Sequence, residues 1–105
     1  MKMLGLSKIC AVVAAHDAKA MRMQLRKALR LTPMAELRLD WLSDDRQIRT
    51  FLSHLATTRP RATLIATCRR REAGGLYRGT ITRQLAHLAE AIQAGCEWYD
   101  QRLRL

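Results

Sequence analysis

Carboxylates are scarce in this chain. Nine Asp and Glu stand against nineteen Lys and Arg, a formal net charge of +10 over 105 residues. Such a field raises polyanion binding as a function class. Aromatic residues are equally few, at 5%, so the stacking platforms that hold single-stranded nucleic acid are poorly supplied. The basic residues are spread along helical stretches, with only Arg69, Arg70 and Arg71 forming a run of three. A solvated basic surface accounts for that distribution, and nucleic acid is not an expected partner. No apolar run approaches the length of a membrane span, and no low-complexity tract signals disorder.

The cysteines exclude more. Cys10, Cys68 and Cys96 are odd in number and far apart, without metal-ligand spacing. Cys10 and Cys68 sit in apolar runs, where a free thiol behaves as a small hydrophobe. The expectation is a reducing compartment, the cytoplasm, with no metal and no cofactor. Residues 1–15 have a superficial signal-peptide look, but Lys8 interrupts the apolar stretch, which serves better as a first core strand.

What the chain does have is apolar residues, 49% of the total, arranged in short runs alternating with helical periodicity. Residues 9–15 read as a buried strand, followed by Asp17 as an N-cap and the stripe Met21, Leu25, Ala28, Leu29. Thr32 and Pro33 end that helix and lead to a second strand, residues 35–41. Ser43, Asp44 and Asp45 open a second helix, whose buried face is Ile48, Phe51, Leu52 and Leu55. A third strand covers 62–68, and a third helix carries Leu85, Leu88, Ala89 and Ile92 as its stripe, with Gly95 as its stop. Residues 97–103 read as a fourth strand. Repeated βα units imply an α/β fold with a parallel sheet and right-handed crossovers. Residues 1–105 form one domain without a linker. A (β/α)₈ barrel takes ~250 residues, so three units and a fourth strand make either a small open sheet or the first half of a barrel. An uncovered parallel edge on a half-barrel would favour self-association.

The stretch Glu36-Leu37-Arg38-Leu39-Asp40 is the centre of this pattern. Alternation places Glu36, Arg38 and Asp40 on one face and Leu37, Leu39 and Trp41 on the other. Neither face of a central parallel strand is expected to see much water. Inward Glu36 and Arg38 must then meet each other or a polar ligand, because an unpaired buried charge is costly. A structural ion pair is the plain alternative to a ligand site.

Glu36-Leu37-Arg38-Leu39-Asp40, Thr67-Cys68-Arg69 and Gly74-Gly75-Leu76-Tyr77-Arg78-Gly79, at successive βα ends, resemble the N-terminal half of type I 3-dehydroquinate dehydratase. The resemblance runs from about Lys8 to Asp100. It implies a TIM-type (β/α)₈ barrel and a carbon–oxygen lyase of the shikimate pathway, converting 3-dehydroquinate to 3-dehydroshikimate and water. The family works through a lysine Schiff base and a histidine acid–base. Its Glu-x-Arg pair matches Glu36 and Arg38, which would hold the substrate's hydroxyls and carboxylate region, and Arg69 matches a further substrate contact. A polyhydroxylated carboxylate needs such acceptors and bidentate donors at a strand C-terminal mouth. Arg69 as the start of a solvated basic loop is the bland alternative.

The chain departs from the family in four places. The glutamate that usually precedes the paired glycines is replaced by Ala73, with Glu72 one place earlier as a possible substrate-loop substitute. Val12 stands where some members have a serine. The family's catalytic His and Schiff-base Lys belong to the second half of its barrel, and no catalytic residue is assigned here. His16, His54 and His87 fall at helix starts or within helices, and Lys2, Lys8, Lys19 and Lys27 all precede the second strand. The basic tail Gln101-Arg102-Leu103-Arg104-Leu105 arrives where the family continues into an acidic strand. A partial chain is therefore expected, completed by a C-terminal half or by self-association. The alternative is a catalytically inactive half-barrel that self-associates or binds anionic partners through its Arg-rich surface. Salt separates the two: polyanion binding, followed by fluorescence anisotropy, should fall steeply with salt and survive Glu36→Ala. Specific substrate binding should instead depend on Glu36 and Arg38 together.

Overall fold

Alternation along three short strands decides which side of the sheet is covered. The computed structural model describes residues 9–99. Strands β1 (Ala11–Val13), β2 (Met34–Arg38), β3 (Thr63–Thr67) and β4 (Trp98–Tyr99) form one sheet in sequence order, every pair parallel. Helices α1 (Ala18–Ala28), α2 (Asp45–Thr58) and α3 (Ile81–Gln93) make the connections. The register runs Val13↔Leu37↔Ala66 on one side of the pleat and Val12↔Glu36↔Ile65↔Trp98 on the other. Val13, Ala35, Leu37, Leu64 and Ala66 are buried. They meet Met21 and Leu25 of α1, Phe51 and Leu52 of α2, and Leu88 and Ala91 of α3 in one core. Each large side chain so buried contributes about 1.5–3 kcal/mol.

The opposite face stays open among the described residues. Val12 is 60% exposed, and Met34, Glu36, Thr63 and Ile65 are half-buried. A doubly wound sheet would carry helices on both faces. Covering on one face alone is the arrangement of a barrel wall, with the open face turned toward the lumen. The expectation that neither face of β2 meets water is corrected accordingly.

Helix boundaries follow the expected caps. Asp17 accepts the Ala20 N–H at 2.7 Å and Asp44 accepts the Gln47 N–H at 2.9 Å. Helix α3 is capped by Thr80, which accepts the Arg83 N–H at 3.1 Å. Gly95 follows α3 at φ 118, a conformation glycine adopts without strain. The Arg59 guanidinium donates to the Gln93 carbonyl at 2.8 Å, tying the C-terminal ends of α2 and α3.

Strand ends differ from the sequence expectation. Strand β1 is shorter than 9–15 because the Ala14 N–H turns to the Gln24 side chain at 3.0 Å instead of the ladder. Strand β3 stops at Thr67, one residue short of Cys68. Strand β2 stops at Arg38, and Leu39–Trp41 coil into a 3-10 turn closed by the Leu42 N–H on the Leu39 carbonyl. Leu39 and Asp40 are consequently both buried, which strict alternation would forbid. Of the fourth strand, residues 100–103 lie outside the described residues.

Helix α3 is the largest correction. Its buried residues are Gln84, His87, Leu88 and Ala91, while Leu85 and Ile92 are 43% and 46% exposed and Ala89 is exposed. Polar bonds set its rotation: Gln84 Nε2 donates to the Cys68 carbonyl at 2.7 Å and His87 Nε2 donates to Asp45 at 2.9 Å. Leu88→Ala should cost about 2–5 kcal/mol, as a buried truncation does. Leu85→Ser should change stability by no more than about 0.5 kcal/mol. Urea denaturation of the two variants checks the rotation, and equal losses would restore the expected stripe.

Candidate functional site

Glu36 and Arg38 stand two residues apart on the uncovered face of β2, next to Thr67 in the register. They do not pair with each other. The Thr67 hydroxyl donates to Glu36 Oε2 at 2.7 Å. Arg38 forks onto Asp40, Nε to Oδ1 at 3.1 Å and NH2 to Oδ2 at 2.8 Å. The Asp40 side chain has no solvent exposure and that of Arg38 is 17% exposed. Asp40 Oδ2 also accepts the Leu76 N–H at 3.1 Å. A buried carboxylate is tolerable when matched this fully. The match fixes the Arg38 fork and draws the loop after β3 down onto the turn after β2.

That loop carries Arg69 and Glu72. Arg69 is half-buried two residues past β3, and its carbonyl accepts the Tyr77 N–H at 3.0 Å. A Cβ on Gly75 would lie 2.1 Å from the same carbonyl oxygen, so the two backbone segments meet where no side chain fits. Glu72 is 72% exposed and pairs with Arg70 at 3.1 Å. Its own backbone N–H, followed by Arg70, holds its carboxyl below the usual range. Ala73 beside it is exposed.

A second polar centre, on Asp45 at the start of α2, anchors the far end of the loop. Tyr77 Oη donates to Asp45 Oδ1 at 2.9 Å, His87 Nε2 donates to Oδ1 at 2.9 Å, and Arg83 donates to Oδ2 at 3.1 Å. The Tyr77 ring meets His87 edge-on, centroids 5.9 Å apart. Burial alone would raise the Asp45 carboxyl, but the His87 and Tyr77 bonds and the charges of His87 and Arg83 outweigh it and hold it low. Burial and the Asp45 carboxylate push the Tyr77 phenol well up, keeping it a donor.

Sequence reasoning missed this centre because its members come from three segments, residues 45, 77 and 83–87. The polar residues on the buried side of α3, Gln84 and His87, were the available signal. A cleft of about 480 Å³ lies beside the centre, lined by Asp40, Trp41, Asp45, Arg71, Tyr77 and Arg78 among others. Glu36, Arg38 and Arg69 do not line it.

The remaining reactive groups are three thiols and two further histidines. Burial, reinforced by the charges of Asp40 and Asp45, pushes the Cys68 thiol up to about 12, and burial raises Cys96 to about 11. Burial and the Glu36 charge raise Cys10. The three cysteines are unpaired. His16 is exposed beside Trp41, its ring 6.5 Å away, and His54 accepts from Arg22 at 3.1 Å on the outer side of α2. Among the described residues no group of three His, Cys, Asp or Glu is arranged to hold a metal ion. No helix among them is long and apolar enough to cross a membrane.

Asp45→Asn keeps the shape but removes the charge that three donors share, and should cost about 1–3 kcal/mol at pH 7. A carboxyl held low in the folded state stabilises above its unfolded value of about 4 and loses that contribution as pH falls through its folded value. The deficit of the variant should therefore be full at neutral pH and shrink below about pH 4. Denaturant titrations at both pH values read it, and a constant deficit would mean that the charge does not contribute.

The comparisons with known proteins agree with one another. The family model for type I 3-dehydroquinase matches residues 9–104. A curated 3-dehydroquinate dehydratase from Desulfotalea psychrophila (strain LSv54 / DSM 12343) is 37% identical over 99 residues, covering 92% of this chain. The chain spans 40% of that relative's length.

Proposed function

The chain belongs to the type I 3-dehydroquinase family, and from that membership we propose that it is the substrate-gripping part of a 3-dehydroquinate dehydratase. The complete barrel would convert 3-dehydroquinate to 3-dehydroshikimate and water. Glu36, Arg38 and Arg69 hold the substrate. The observation that carries the reading is their place: Glu36 and Arg38 on the lumen face of a central parallel strand, and Arg69 just past the end of the next. The C-terminal ends of barrel strands are where such enzymes bind.

The division of labour follows from the chemistry of each group. Glu36 accepts substrate hydroxyls, since a carboxylate has more acceptor sites than the one Thr67 uses. Arg38, held in one plane by Asp40, presents a fixed cation to the carboxylate region, and Arg69 adds a second. Glu72 sits on the loop that would close over the substrate and is the available stand-in for the carboxylate absent at Ala73. The Schiff-base lysine and acid–base histidine come from the rest of the barrel, on this or another chain. Ile81, Leu85 and Ile92 on α3 and Val12 on the open face are exposed apolar residues suited to coverage by that remainder or by a second copy. Unpaired cysteines suit the cytoplasm.

A chimera tests the reading. Residues 9–99 replace the matching segment of the Desulfotalea dehydratase, and the conjugated-enone absorbance of the product is followed. A folded chimera should turn over 3-dehydroquinate, and Glu36→Gln in it should lower kcat/KM about tenfold or more, the loss of a charged hydrogen bond. A folded chimera without turnover would overturn the functional reading. Turnover unchanged by Glu36→Gln would overturn the site assignment alone.

A further inference from the structure

Helix α1 carries Lys19, Arg22, Arg26 and Lys27 and no acidic residue in its eleven positions. Lys19, Arg22 and Arg26 follow one another at spacings of three and four, and Arg30 continues the row past the helix end. Like charges at such spacings repel. Among the described residues no carboxylate pairs with Lys19, Arg26 or Arg30. Among the described residues the row is thus left without carboxylate partners.

These four cations line a groove of about 520 Å³ between α1 and α2. Its apolar lining includes Met23, Leu29, Phe51 and Leu55, with Met23 54% exposed and Leu29 half-buried. Arg22 reaches across to His54 Nδ1 at 3.1 Å, joining the two walls. No carboxylate lines the groove among the described residues.

We infer that this groove is a docking surface for an acidic amphipathic helix of a partner protein. Its glutamates or aspartates would face the row of cations, and its apolar stripe would cover Met23 and Leu29. Charge complementarity selects the sign of the occupant, and the apolar lining selects its form. A phosphate backbone would leave the apolar lining unused, and Phe51, at 1% exposure, offers no ring for a base to stack on. A lipid surface takes up a broad face of projecting apolar residues, whereas Met23 alone of this apolar lining is exposed. The surface belongs to the outer helical layer, so this binding is independent of the substrate site on the sheet's other face.

The test uses the whole 105-residue chain and a fluorescein-labelled 14-residue peptide with leucines at helical spacing, flanked by glutamates. A peptide of the same composition in shuffled order, heparin, and phosphatidylglycerol vesicles are the comparisons. The patterned peptide should bind about tenfold or more tighter than the shuffled one by fluorescence anisotropy. Arg22→Glu with Arg26→Glu should weaken it about tenfold or more, and so should Met23→Glu. Arg46→Glu with Arg61→Glu, at exposed positions outside the groove, should leave it within about twofold. Circular dichroism verifies that each variant folds. Equal binding of both peptides, tighter binding to heparin or vesicles that ignores Met23→Glu, or no binding at all would each overturn the inference.

Discussion

A carboxylate with no solvent exposure, Asp40, sets conditions that the surrounding structure has to meet. It is tolerable only if fully matched, and it takes both arms of the Arg38 fork and a backbone N–H from Leu76. For the fork to reach, β2 must end at Arg38 and the chain must coil at once into a 3-10 turn. For Leu76 to reach, the loop after β3 must fold back over the strand ends. It does so through a backbone contact at Gly75 too close for any side chain. Helix α2 then starts four residues beyond the turn, with Asp45 placed to take Tyr77 from the same loop. One buried charge thus aligns Arg38, the loop over it and the helix behind it.

The one-sided sheet gives this cluster its direction. Helices cover the face of Val13, Leu37 and Ala66, so every inward side chain of the opposite parity opens toward the lumen. On that face Glu36 and Arg38 take different partners, Thr67 and Asp40. Its bond to Thr67 spans neighbouring strands and holds the carboxylate at the sheet surface. Arg38 makes its ion pair with Asp40 in place of Glu36, and the two side chains are held separately.

Scarcity of acid organises the electrostatics. Asp17 and Asp44 cap helices, Glu36 and Asp40 hold the strand-end cluster, Asp45 gathers three donors, and Glu72 pairs with Arg70. Little negative charge remains for the outer helices, and α1 has none. The net charge of +10 is thus unevenly spread. Near the strand ends Arg38, Arg70 and Arg83 meet local carboxylates, while along α1 the charge faces solvent beside an apolar groove.

The sequence by itself determined the order of the elements, their caps and the parallel sheet. Asp17, Asp44 and Gly95 act locally, through hydrogen bonds or dihedral angles within a few residues. The stripes of α1 and α2 follow from periodicity because apolar burial alone decides their rotation. The family motif marked Glu36, Arg38 and Arg69, since residues at strand ends keep their place whenever the strands form. Tertiary structure decided what depends on distant partners. Helix α3 turned Leu85 and Ile92 outward because Gln84 and His87 found acceptors on Cys68 and Asp45, residues 16 and 42 positions away. Strand β2 was cut at Arg38 because a buried Asp40 had to be neutralised from two directions. Hydrophobic pattern is written along the chain, but the satisfaction of a buried polar group is decided only when remote segments meet.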